Sequence, residues 1–162
     1  MPDGRTGPAL PPVGALLRRP AVFVRHEVID SLHEAGFQDI LPAHLGVFQH
    51  PGPDGQKPGV LARRARASKQ AMNHLLHQLE AGGYLVRGKP ANASDQRSHV
   101  VRLTERGWEA DAVIRRTMTR LDQEWRAALG EDAYRNLARG LEGLHEIIEA
   151  QSPGASYSGP TR

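Results

Sequence analysis

The chain has 162 residues, 39% of them apolar and 24% charged, with no cysteine and a net charge of +3, the make-up of one ordinary globular domain. The absence of thiols excludes disulfides, thiolate metal sites and cysteine-based redox switching. No apolar run approaches the roughly 18 residues of a membrane span, and the Pro/Gly-rich first 12 residues lack the build of a secretory leader, so a soluble, cytoplasmic protein is expected.

Pro20 is expected to open the first helix, in which Ala21, Val24, Val28 and Leu32 share a face and which Gly36 stops. Residues 1–18 ahead of it read as a flexible segment. A second short helix begins near Pro42 and carries Leu45 and Phe48, and the Pro/Gly-rich run 50–55 ends it as a turn. Pro58 opens a brief helix holding Val60, Leu61 and Ala65, and Arg66-Ala67 turns the chain into Ser68, a good N-cap. Met72, Leu75, Leu76 and Leu79 then recur at i, i+3, i+4 and i+7, so Lys69, Gln70, Asn73, His74 and His77 point away from the buried face. Gly82-Gly83 supplies the stop. Two short β pieces, 84–87 and 99–103, are joined by a polar loop over 88–98 that is long for a hairpin connection. Thr104 caps a long helix with the stripe Ala110, Ile114, Met118, Leu121 and Trp125. A last helix carries Ala133, Leu137, Leu141, Leu144 and Ile148, and the Ser/Pro/Gly tail over 151–162 reads as disordered.

Charge is unevenly spread along this order. Residues 57–106 carry ten Lys/Arg against Glu80, Asp95 and Glu105, a net +7 that leaves −4 for the flanks. A basic middle is an electrostatic footprint for phosphate, and by itself equally a solvated face. The element order weighs toward the former. Two short helices with a tight turn, the second with a polar outer face, followed by a hairpin with a basic loop, make a mainly α winged helix-turn-helix with a small β-hairpin wing. In that layout the second helix enters the major groove of double-stranded DNA. Asn73 and Gln70 can pair in bidentate fashion with adenine, Lys69 reaches guanine or phosphate, and His74 lies on the same face. Lys89 and Arg97 in the loop would meet the neighbouring minor groove, with Asp95 holding the loop by an Asx turn or by pairing with Arg97.

The segments Leu61-Ala-Arg-Arg-Ala-Arg-Ala-Ser-Lys-Gln-Ala-Met72, Leu79-Glu-Ala-Gly-Gly-Tyr-Leu-Val-Arg87, Asp95-Gln-Arg97 and Leu103-Thr-Glu-Arg-Gly107 occur in an order that resembles the multiple antibiotic resistance regulator (MarR) family. The resemblance covers roughly residues 21–150. It implies a MarR-type domain over 19–150, with dimerisation helices at 19–36 and 104–150, a DNA-binding lobe at 57–103, a recognition helix over 68–81 and a wing over 88–98. Asp95 and Arg97 match the Asp-x-Arg element common in the family's wings. Arg66 departs from the pattern, standing where the bend often has Gly, and adds a cation close to DNA. The implied function is a sequence-specific transcription regulator, expected to be a repressor, that binds a pseudo-palindromic operator as a homodimer. The outer helices fit this, since a two-fold dimer would cover their apolar stripes and set two recognition helices about 34 Å apart; closing a monomeric core is the alternative. Family members often bind small aromatic or anionic effectors between lobe and dimer helices, where Trp108, Phe48, His44 and Arg25 would line the cleft.

Eight histidines raise a reading from another class, a His-dependent metal-binding or hydrolytic protein, with His74/His77 at i, i+3 and His26/His33 seven apart. No cysteine and no clear ligand cluster accompany them, and no nucleophile beside a base, phosphate loop or paired carboxylates stand out. Neither a cofactor nor an enzyme activity is expected. An architectural DNA protein without sequence preference is the third reading.

Overall fold

The computed structural model describes residues 11–49, 55–89 and 99–151. Helix α1 spans Val13–Glu34, so it starts seven residues before the expected Pro20, and residues 13–18 are helical, not a flexible lead-in. The start is set by Pro12, whose carbonyl accepts from the amides of Ala15 (2.9 Å) and Leu16 (3.2 Å). Pro20, inside the helix, lacks one N–H, and a single missing bond does not stop a helix of 22 residues. Gly36, at φ +93°, ends α1 in a Schellman motif: Phe37 N–H bonds the Leu32 carbonyl and Gly36 N–H the His33 carbonyl.

A 3-10 turn at Pro42–His44 leads into the single-turn helix α2, Leu45–Phe48. Helix α3, Pro58–Arg64, and helix α4, Lys69–Ala81, follow as expected. Strand β1, Leu85–Gly88, pairs antiparallel with β2, Val100–Leu103, in the register Leu85↔Leu103 to Gly88↔Val100. Both strands begin one residue later than expected, at Leu85 and Val100. Gln56 adds a contact not foreseen: its N–H and C=O both bond Val101, at 2.9 Å each, making a one-residue third strand at the edge of β2. Helices α5, Glu105–Leu129, and α6, Glu131–Gln151, follow.

Leu32, Ile40, Leu61, Met72, Leu76, Leu79, Tyr84 and Leu85 form a single core shared by α1, α3, α4 and β1. The buried face of α5 runs Gly107, Ala110, Asp111, Val113, Thr117, Leu121, and so is rotated from the expected stripe: Met118 is exposed. Thr117 packs like an apolar residue because its hydroxyl donates to the Val113 carbonyl within the helix (3.0 Å), and the Asp111 carboxylate is met by Arg115. Helix α6 has no buried residue although it is strongly amphipathic.

The end of α4, β2 and the start of α5 are joined at one point. Thr104 Oγ1 donates to the Gly83 carbonyl (2.6 Å) and accepts from Gly107 N–H (3.1 Å), while Thr104 N–H bonds the Tyr84 carbonyl (3.0 Å). A Cβ on Gly107 would lie 2.0 Å from the Tyr84 carbonyl oxygen. The Leu-Thr-x-x-Gly segment is therefore a packing device.

Candidate nucleic-acid interface

The second helix of the pair is placed by its caps. Ser68 Oγ accepts from Ala71 N–H at 3.0 Å, which fixes the start of α4 and frees its first turn to face outward. Met72, Leu76 and Leu79 are buried, and Leu75 partly so; Lys69, Gln70, Asn73, His74 and His77 are exposed along the other side. Arg66 occupies the turn before Ser68. It is at φ +50°, the one non-glycine with positive φ among the described residues, and it takes the position that Gly36 and Gly83 take at the other two Schellman ends. Ala67 N–H bonds the Ala62 carbonyl (2.9 Å) and Arg66 N–H the Arg63 carbonyl (3.1 Å). An L-residue there carries a backbone cost, so the turn keeps its geometry and adds an exposed guanidinium. Arg63, also exposed, extends this basic edge; sequence reading passed it over because it lies in a helix read for its apolar residues.

Two contacts hold α4 in orientation. His44 is 2% exposed; its Nδ1 accepts from Leu41 N–H (3.1 Å), so Nε2 carries the proton and donates to Gln78 Oε1 (3.0 Å). At the far end Glu80 accepts from Arg87 Nε on β1 (3.1 Å), with His77 Nδ1 3.8 Å away. Lys89 stands exposed just beyond β1, and its carbonyl accepts from Arg102 Nη2. Asp95 and Arg97 lie outside the described residues.

Of the expected effector-lining residues, two are buried and two exposed. His44 is buried and bonds the 3-10 turn and Gln78, and Phe48 belongs to the core, its ring edge-on to Tyr84 at 6.4 Å. The outcome follows from partners far along the chain that close over them. Arg25 on α1 and Trp108 on α5 (40% exposed) remain accessible, on two helices that pack together. Nearby, Tyr84 Oη donates to Asp39 Oδ1 and accepts from Arg106 Nη2 (3.0 Å), and the Arg106 guanidinium lies 4.8 Å from the Tyr84 ring centre and 5.6 Å from that of Phe37. Burial first, then the Asp39 carboxylate, pushes the Tyr84 hydroxyl above its ordinary pKa, against the pull of Arg106.

Among the described residues no three His, Asp or Glu side chains converge as a metal site. His74 and His77 are both exposed on α4, and His33 Nε2 lies 3.1 Å from the Ile40 carbonyl. No helix among the described residues is long and apolar enough to cross a membrane.

No family model matches the chain. It is 34% identical over 137 residues to the HTH-type transcriptional repressor Rv2887 of Mycobacterium tuberculosis, an alignment covering 82% of this chain and 93% of that protein. A crystal structure of the Mycobacterium tuberculosis MarR family protein Rv2887 in complex with salicylic acid aligns at 33% identity over 83% of this chain and 97% of that one, with a TM-score of 0.55. FabT of Streptococcus pneumoniae in complex with DNA (18% identity, 86% of this chain and 96% of that one, TM-score 0.67) and the regulator SlyA (15%, 90% and 100%, 0.70) share the fold.

Proposed function

The chain belongs to the MarR family of transcription regulators, and from that premise we propose that it is a repressor that binds a pseudo-palindromic DNA operator as a homodimer. The observation that carries this is the capped helix α4, with Lys69, Gln70, Asn73 and His74 exposed in one row behind the cationic turn at Arg66. A helix fits the major groove, and these side-chain types hydrogen-bond base edges and phosphates there. Arg66, Ser68 and Lys89 contact the backbone in this reading, and the Asp95/Arg97 loop follows the minor groove. Binding, not catalysis, is the activity.

The dimer reading is supported by apolar surface that the single chain leaves open. Leu137, Leu141, Ile147 and Ile148 on α6, and Val13, Leu16 and Phe23 on α1, are exposed. A second copy would cover them, and a two-fold axis would present the basic segment twice to two half-sites.

Repression would be relieved by a small aromatic acid. Support comes from the related Rv2887 protein, whose crystal structures hold salicylic acid and p-aminosalicylic acid. Such a ligand acts only through its differential affinity for operator-bound and free arrangements, a factor of about 5 to 150 for ordinary coupling.

The test is selection of bound duplexes from a random library, followed by titration of salicylate into the operator complex. An inverted repeat with half-sites about one turn apart, released by salicylate, is the expected result. Equal affinity for unrelated duplexes would overturn the operator reading, and a complex indifferent to every aromatic acid would overturn the effector.

A further inference from the structure

Arg102, in the middle of β2, sits opposite Val86 on the outer face of the hairpin. Val86 is half exposed, as that face would suggest, whereas Arg102 is partly buried. Its side chain lies along a track that two glycines leave open. A Cβ on Gly55 would come within 2.8 Å of Arg102 Cγ, and a Cβ on Gly88 within 3.1 Å of its Nη1. At the end of the track Nη2 donates to the Lys89 carbonyl at 3.1 Å. Lys89 is the first residue after β1, so this bond fixes the point and direction at which the chain leaves the sheet.

We propose that Arg102 is the positioning residue of the wing, acting on DNA through the main chain of Lys89 and not by its own charge. The proposal rests on the DNA-binding reading above. An arginine that served as a free phosphate contact would extend into solvent. This one lies along the sheet, with a glycine on either side of its track and Nη2 bonded to a backbone carbonyl. A loop that follows a narrow groove gains affinity only when its entry is already oriented, because ordering it on binding opposes association.

Three variants separate positioning from charge. Arg102→Ala removes the bond; Arg102→Lys keeps a donor; Gly88→Val leaves the arginine in place and fills its track. Each is measured on duplexes sharing the same half-sites but carrying A/T-rich or G/C-rich flanks, with cooperative thermal unfolding as the check on folding. Arg102→Ala and Gly88→Val should each lower affinity for the A/T-flanked duplex on the order of tenfold and erase the flank preference, leaving half-site base preference intact. Arg102→Lys should restore part of both. A uniform loss on both duplexes with Gly88→Val at wild-type affinity would make Arg102 an ordinary phosphate contact and overturn the proposal, as would wild-type flank preference in Arg102→Ala. Amide exchange of the DNA-free protein is the independent arm, with faster exchange of the β1 and β2 amides in Arg102→Ala and Gly88→Val, and α4 unchanged. If the wild-type protein shows no sequence preference, the operator reading fails, and unchanged exchange in these variants would then overturn the role given to Arg102.

Discussion

Arg66 holds a conformation that costs an L-residue about 1–2 kcal/mol, and glycine would recover part of that while adding unfolded-state freedom. Arg66→Gly should therefore raise stability by roughly 0.5–1 kcal/mol in thermal unfolding. The same change should weaken operator binding and flatten its salt dependence by about one counterion per protomer. A more stable variant with undiminished affinity would deny the cation any role. Asn73→Ala should relax base preference and cost about 1–3 kcal/mol on the best site, whereas Lys89→Ala should weaken all duplexes alike. An unchanged preference profile in Asn73→Ala would mean that α4 sits in the groove in another register. The exposed row on α4 was legible in the sequence because helical periodicity and the Ser68 cap are local. The handedness of Arg66 was not, since it depends on where α3 ends. The burial of His44 and Phe48 was not legible for a similar reason: their partners, Gln78 and Tyr84, lie more than thirty residues away.

At the scale of elements, the joint between α4, β2 and α5 is tightly constrained. Gly107→Ala puts a methyl 2.0 Å from the Tyr84 carbonyl, a contact that only movement of α5 can relieve. A loss of about 2–4 kcal/mol is expected in denaturant titration, in the range of overpacked or strained sites; a loss under 0.5 kcal/mol would show that the joint yields. The motif around Thr104 was visible in the sequence as a pattern, but its reason was not, because the strand-to-helix approach is a tertiary distance. The same limit explains other differences. Pro20 reads as a helix start unless Pro12 is seen to take that part. The face of α5 turns because Thr117 and Asp111 find partners within their own helix. Gln56 pairs with a strand forty-five residues later, which no local pattern announces.

At the scale of the molecule, α6 contributes no buried residue to the single chain, and we expect a second copy to cover its apolar stripe. Leu141→Glu should split the dimer, read by sedimentation, and lower operator affinity steeply while leaving the fold of each protomer intact by circular dichroism. A variant that stays dimeric would place the contact elsewhere. The unequal charge of basic middle and acidic flanks, already plain in the sequence, is what would make the wild-type complex strongly salt dependent. Of the expected dimer, the sequence shows only the apolar stripes that a second copy would cover.

The three hydrogen bonds at Thr104 and the missing side chain at Gly107 leave no hinge between the reading lobe and the long helix behind it. The lobe and α5 are then one rigid lever, and any change in the spacing of the two α4 helices must come from one protomer pivoting against the other. The chain has no cysteine, so single introduced thiols can carry spin labels without interference. Labels at the exposed positions His77 and Arg116 within one protomer should keep a fixed separation when salicylate is added, while a pair at His77 across the dimer should shift. Movement within the protomer instead would locate a hinge inside the joint.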